Sequence, residues 1–486
     1  VCLDLQRMPV EHLASIFHVR PEALRLFLCV LAGYPLAFLH RTIIYKWSPR
    51  EQHAFFVATG TILHIFYCGY DIIHFFVAII LAYLITHFMT GTRESIIAAH
   101  VSFLGYLLVG YWKKESEGYD INWTTPFCVL TLRLTGLVMN VYDGVHCDKL
   151  KRDQKAEAIK KLPGLLEIAA FTFLYSGTFV GPQFTLAKFR SFVDGAWLDE
   201  KKQPKQSAIS ASLRRFLGGA AFLILNLVGT AWIPNSYFNT PEYYKQSFFW
   251  RWTWAVVWFR VVICRYCALW MIVEGSSILN GLGYNGQDQQ GRDRWDGVRD
   301  IDVWKWEVGT DFTSCVQAFN RGTNTWVKNN ILRRLRWLNN KSLAHLITLG
   351  YLAIWHGYHL GYFLIFGMEF GCMVAQEQLY SLVRRSPELS SLTSKPSLRP
   401  FLWLCGRLIL LYSMGFAFLM FGLVKTKYWI GPVKSLYFIG YIFYFIIWPA
   451  LYQVLLNVLP LKKKDPVGSP TRTDASRTED ALKKMS

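Results

Sequence analysis

Two short stretches hold residue types that could do chemistry together. "WHGYHLGYFLIF" (355–366) places His356 and His359 inside an apolar run that extends from about 343 to 367. "FNRGTNTWVK" (319–328) brings Asn320 and Asn324 shortly before it. An imidazole can accept and return a proton near neutral pH, and a carboxamide can steady a developing negative charge without carrying one. A buried polar group without a partner costs several kcal/mol, so two histidines in the middle of an apolar run need a reason. On a straight helix His356 would lie about 20 Å from either end of the run at 1.5 Å per residue, with His359 one turn on. A helix–helix hydrogen bond is the plain reading of such a residue. The neighbours favour a binding site: Gly357 and Gly361 leave room for close approach, and Trp355, Tyr358 and Tyr362 supply flat walls with polar edges. His64, His74, His87 and His100 lack that setting and read as structural.

The elements that must position these groups are membrane helices. Hydrophobic residues are 52% of the 486 and charged residues only 17%, too apolar a balance for a soluble chain of this length. The apolar residues fall into blocks near 23–40, 54–69, 73–90, 96–112, 126–142, 165–181, 215–233, 247–274, 343–367, 401–424 and 431–459. Each is of the order of the ~20 residues a spanning helix needs, which predicts an all-α polytopic membrane protein of roughly eleven transmembrane helices. The 54–69 block is marginal, and 431–459 is long enough to tilt or to break near Pro449. No basic leader precedes a short apolar run, so the first helix is expected to act as its own insertion signal. The ten cysteines show no metal-ligand or disulfide spacing, and Cys264 and Cys267 read as packing within one span.

The net charge of +19 is gathered at 147–163, 199–215, 326–341, 383–399 and 461–466, between the apolar blocks. The positive-inside rule puts these loops in the cytosol, where they would also meet anionic headgroups. No fold for nucleic-acid binding surrounds them, and nucleic acid is not expected as a partner. The Asn122-Trp123-Thr124 sequon would face the lumen, close to the membrane. Residues 461–486 read as a disordered cytosolic tail, in which Lys462, Lys463 and Lys464 follow the last span and the final "KKMS", with Lys483 and Lys484, resembles a dilysine retrieval signal of the endoplasmic reticulum. From Val327 the apolar positions Val327, Ile331, Leu335 and Leu338 follow helical spacing, with Asn329, Arg333, Arg336 and Asn340 opposite. This predicts a basic amphipathic helix in the cytosolic interface.

These motifs carry a resemblance. "WHGYHLGYFLIF" is similar to the W-H-G-x-x-x-G-Y-x-x-x-F motif of the membrane-bound O-acyltransferase family, in its lysophospholipid acyltransferase branch. "FNRGTNTWVK" resembles that branch's W-N-x-x-T-N-x-W motif, with Phe319 in place of the leading Trp. The motifs stand in the family order, 36 residues apart from Asn320 to His356. The stretches "GLGYNG" and "RWDGVRD" are similar to the segment leading into them, and the F-Y-x-D-W-W-N motif of the sterol and diacylglycerol enzymes is absent. The resemblance covers the whole chain and implies a membrane-bound O-acyltransferase domain over 1–460, with many helices around a reaction chamber. It implies acyl-CoA as cosubstrate entering from the cytosol and no permanently bound cofactor or metal. A lysophospholipid acceptor, chiefly lysophosphatidylcholine, would enter from the bilayer, and a polyunsaturated acyl chain would be preferred. Acyl-CoA, lysophospholipid and membrane lipids are then the partners, with a homodimer left open.

The chemistry fits these residues. Moving an acyl group from a thioester to an alcohol needs a base, a group facing the oxyanion and exclusion of water. His356 is the candidate base. Asn320 either orients His356 or donates to the thioester carbonyl oxygen. Asn324, Trp326, Trp355, His359 and Tyr362 are candidates for shaping the substrate site, and Lys328, Arg333, Arg334 and Arg336 for coenzyme A phosphates. Cys315 is the one nucleophile near Asn320 for a covalent route, without an activating partner nearby in sequence. Other classes are a family member acting on a peptide or protein acceptor, which the motifs disfavour, and a transporter. A transporter would call for repeated halves and more intramembrane carboxylates than Glu274 and Glu369.

Overall fold

In a computed structural model of the chain, residues 10–16, 19–116 and 121–462 are described. The lysines from Lys463 on, including Lys483 and Lys484, lie outside the described residues, as does the tail that carries them. Ten helices carry most of the architecture: α1 (Pro21–Thr42), α2 (Pro49–Cys68), α3 (Ile73–Phe88), α4 (Thr124–Val145), α5 (Ser207–Trp232), α6 (Phe248–Asn280), α7 (Arg321–Asn330), α8 (Lys341–His356), α9 (Leu360–Arg385) and α10 (Arg399–Gly422). No strand is formed among the described residues. Local signals set several starts: Pro49 opens α2 behind Ser48, whose hydroxyl accepts from the Glu51 N–H while Glu51 reaches back to the Ser48 N–H.

Eight helices among the described residues are long and apolar enough to cross a membrane, against eleven blocks in the sequence. The differences have physical causes. α2 and α3 run on through a single 3₁₀ turn at Gly69–Ile72, so two blocks form one long element. The 165–181 block is helical only over Leu165–Phe173. The chain beyond leaves the helix yet stays buried, which is tolerated at this depth only where protein satisfies the backbone. Arg133 of α4 does so, donating to the carbonyls of Phe171, Gly177 and Pro182 at 3.2, 2.5 and 3.0 Å, and Ser277 of α6 donates to that of Ser176 at 2.9 Å. The 343–367 block is broken into α8 and α9, and α8, at 16 residues, is too short to count among the eight. In the last block the break falls at Tyr437 and Phe438, both with positive φ, and a π-turn at Phe443–Ile447 precedes Pro449.

The spans differ in what surrounds them. In the most apolar stretch of α4, 89% of residues are buried, against 11% for the element beginning with α5 and 17% for Ile439–Val458. α4 is therefore a core helix walled by others, whereas α5 turns Ile224, Leu225, Leu227 and Val228 outward to lipid. α5 lies close along α6, where Gly219 faces the Ala268 carbonyl with no room for a side chain. Two large apolar clusters result. One is built from α2, α3, α4 and the far half of α8, the other from α6, α9, α10 and the 301–318 segment.

The basic amphipathic helix departs from its expected form. α7 ends at Asn330, and Leu332–Leu338 continue as 3₁₀ turns to Asn339, which has positive φ. Asn329, expected on the polar face, is buried. The cause is two long-range ion pairs: Arg333 binds Asp153 at 2.6 Å, and Arg334 grips both carboxylate oxygens of Asp143 at 3.0 and 2.8 Å. Tied to the end of α4, the segment cannot lie free as one straight helix.

Candidate active site

Where the two apolar clusters meet, a chamber of about 400 Å³ opens inside the helix bundle. Its wall takes residues from α4, α6, α8, α9, α10 and the 300–324 segment, among them both His356 and Asn320.

His356 is not in the middle of a helix. It is the last residue of α8, and Gly357 follows with φ 128° and ψ −173°, a conformation essentially restricted to glycine. His359 then precedes the first residue of α9 in extended conformation. The two histidines are thus on opposite sides of a break, not one turn apart on a single face. The break frees the imidazole from helical surroundings. It lies among the rings of Trp355, Tyr362, Phe366 and Phe421, at centroid distances of 4.6, 5.5, 5.5 and 5.2 Å. No hydrogen bond to its ring nitrogens is formed among the described residues, and it faces the chamber. Trp355 is fixed beside it by an Nε1 hydrogen bond to the Cys128 carbonyl at 2.9 Å.

The glycine break gives a direct test. Gly357→Ala has space for its methyl, the nearest atom being 3.4 Å away, so its cost is backbone strain of about 1–3 kcal/mol, relieved by moving His356. Acyl-transfer activity should fall sharply. Gly350→Ala, in the interior of α8 with nothing within 4 Å of the added carbon, should keep activity and gain up to about 1 kcal/mol in thermal stability. Equal behaviour of the two variants would show that the break does not place His356.

Asn320 also sits on unusual backbone. It precedes the first residue of α7 with φ 49° and ψ 45°, a left-handed conformation that Asn tolerates better than most side chains. The turn is held by Asp300 and Asn324. Asp300 accepts the Arg321 N–H on its backbone carbonyl and the Gly322 N–H on its carboxylate, both at 3.0 Å. Asn324 donates both amide hydrogens to the carbonyls of Val316 and Phe319, at 2.7 and 2.8 Å. The Asn320 carboxamide does not cap its own helix and has no partner among the described residues, which leaves it free on the chamber wall. Burial pushes the Asp300 carboxyl up to about 7. Sequence reading missed Asp300: it falls in "RWDGVRD", but nothing in the spacing shows that it meets the turn at 321–322.

The sequence model of the membrane-bound O-acyltransferase family matches residues 108–419, a range that includes both motifs and most of the chamber wall. The chain belongs to that family. Lysophospholipid acyltransferase 5 of Caenorhabditis elegans is 57% identical over 98% of this chain and 99% of its own length. Lysophospholipid acyltransferase 5 of Homo sapiens is 33% identical over 94% of each chain, and that of Drosophila melanogaster 33% over 97% and 95%.

Within this membrane-bound O-acyltransferase the remaining candidates separate. Trp355, Tyr362, His359 and Asn324 line the chamber. Trp326 does not: it is buried against Gly136 of α4 and stacked on Tyr351 at 5.9 Å. His359 lies 3.8 Å from Glu115, whose carboxylate also takes hydrogen bonds from Lys425 and Tyr358 that hold it below the usual carboxylate range. Of that cluster, Tyr358 and His359 line the chamber. Lys328, Arg333, Arg334 and Arg336 are not on the chamber wall. Arg333 and Arg334 are engaged with aspartates, whereas Lys328 and Arg336 are exposed. Cys315 lines the chamber, but burial raises its thiol above the usual range, the opposite of what a nucleophilic thiolate needs.

Proposed function

We propose that the protein transfers a fatty acyl group from acyl-CoA to the free hydroxyl of a lysophospholipid, chiefly lysophosphatidylcholine, in phospholipid remodelling. The observation that carries this reading is that His356, at the end of α8, and Asn320, just before α7, line one chamber with their side-chain polar atoms unengaged among the described residues. The lysophospholipid acyltransferase names of the full-length relatives in worm, fly and human support the substrate class.

In the step we infer, the acceptor hydroxyl lies between His356 and the thioester carbonyl. His356 takes its proton as the oxygen attacks the carbonyl carbon. Charge builds on the carbonyl oxygen, where the Asn320 amide donates a hydrogen bond. The C–S bond breaks, the coenzyme A thiolate takes the proton from His356, and the ester remains with the lipid. His356 thereby ends as it began. The unpartnered amide of Asn320 supports this role over that of orienting the imidazole, and the apolar rings around His356 keep bulk water from competing.

Purified protein supplied with labelled acyl-CoA and a panel of lysophospholipids, a sterol, a diacylglycerol and a peptide should label lysophospholipids alone. Labelling only another acceptor class would overturn the reading. A polyunsaturated preference, taken from the resemblance, is read from the same panel with varied acyl chains.

For the coenzyme A phosphates we propose Lys328 and Arg336. Replacing both by Gln should raise the KM for acyl-CoA several-fold with kcat kept, because such contacts bind ground and transition states alike. An unchanged KM would leave these residues a role in topology alone. The dilysine-like end supports residence in the endoplasmic reticulum membrane, and the basic loops support a cytosolic C-terminus. Loss of a C-terminal epitope to protease in sealed microsomes whose lumen is protected checks that orientation.

A further inference from the structure

α9 turns one face to the chamber, and that face contains a carboxylate the acyl-transfer step does not use. Tyr362, Ile365, Phe366, Glu369 and Cys372 all line the wall, at the spacing of a single helical stripe. Tyr362 and Phe366 pack on the ring of His356, each with a centroid distance of 5.5 Å. Glu369 lies two turns beyond Tyr362, about 10 Å along the axis. Asp300, the other carboxylate of the wall, holds the Gly322 N–H. Glu369 has no hydrogen bond or ion pair among the described residues. A carboxyl group on an apolar chamber wall without a protein partner is costly to ionise, and a bound cation would offset that cost. The wall also includes Trp270, Trp306 and Phe319, a continuous aromatic surface with centroid distances of 4.8 and 4.9 Å. A carboxylate and aromatic faces together suit an organic ammonium ion.

We propose that Glu369 anchors the cationic end of the acceptor headgroup, the ammonium of choline or ethanolamine, and so makes the enzyme select zwitterionic over anionic lysophospholipids. The inference rests on the reading that the chamber takes a lysophospholipid. Geometry allows it: the chain that joins the ammonium of such a headgroup to the free glycerol hydroxyl through the phosphodiester is long enough to bridge the one to two turns of α9 that separate Glu369 from Phe366 and Tyr362, the residues packed on the His356 ring. With the cation at Glu369, the hydroxyl is tethered near the imidazole.

The test compares wild type with Glu369→Gln in lipid nanodiscs, using one acyl-CoA and three acceptors of identical acyl chain: lysophosphatidylcholine, lysophosphatidylethanolamine and lysophosphatidylglycerol. The ratio of kcat/KM for each zwitterionic acceptor to that for lysophosphatidylglycerol should fall about tenfold or more in Glu369→Gln, chiefly through KM. Thermal stability should not fall, since no protein partner of Glu369 is lost. Unchanged ratios, whether rates are kept or drop equally for all three acceptors, would overturn the assignment while leaving the transfer reading intact. A wild type inactive on all three acceptors would remove the transfer reading first, and the two failures are therefore told apart. Glu369→Leu should lower the ratios as far as Gln does, and ratios preserved in Leu would also contradict the proposal.

Discussion

His356→Ala should lose acyl transfer by about 10²- to 10⁴-fold, the range that a positioned general base contributes, while the protein keeps its fold. The fold should survive because the imidazole makes ring contacts but no hydrogen bond among the described residues, and it borders a chamber that already exists. A helix–helix hydrogen bond, the plain reading of an intramembrane histidine, would show the reverse pattern: a stability loss of about 0.6–2 kcal/mol with little effect on turnover. Thermal unfolding and turnover on one detergent-solubilised preparation separate the two. His359→Ala is the comparison. It removes a contact to Glu115, a carboxylate that Lys425 and Tyr358 still hold, so its loss should be much smaller. A dead His359→Ala beside an active His356→Ala would contradict the assignment of His356 as the base.

Asn320 carries the second large effect. Removing one donor that faces an oxyanion typically costs about 10²- to 10³-fold in kcat. Two substitutions divide the side chain from its backbone. Asn320→Ala removes the amide and also strains a residue at φ 49°, whereas Asn320→Gly removes the amide and relieves the backbone. Both should lose kcat alike, with the glycine variant the more stable. If Asn320→Gly recovers wild-type turnover, the asparagine serves the turn and not the reaction.

The sequence allowed the chemistry and the solvent to be read, but not the joints. His356 and Asn320 stood out because polar groups in apolar surroundings are rare, and the lipid-spanning blocks because a bilayer imposes a length. The break at Gly357 was hidden: apolar periodicity runs through 343–367 without interruption, and a glycine within it permits a left-handed turn without requiring one. The unwound chain after Phe173 was equally hidden, since it depends on Arg133, some 40 residues earlier, to satisfy its carbonyls. Charge alone made Arg333 and Arg334 look available for phosphate. Only the fold brings Asp153 and Asp143 to them. Glu369 counted weakly toward a transporter when it was one carboxylate in an apolar run, and takes another meaning once Ile365, Phe366 and Cys372 are seen on the same wall.

We propose that acyl transfer occurs in one step inside the chamber, from thioester to lipid hydroxyl, with His356 removing the proton. A chemically quenched single turnover tests it most directly, with purified enzyme in excess over labelled acyl-CoA, with and without lysophosphatidylcholine. Wild type should pass label to phospholipid only when the acceptor is present, with none on the protein at any time, and His356→Ala should leave bound acyl-CoA intact over the same interval. Label on the protein that then moves to lipid, at Cys315 or elsewhere, or a His356→Ala enzyme that turns over at the wild-type rate, would contradict it.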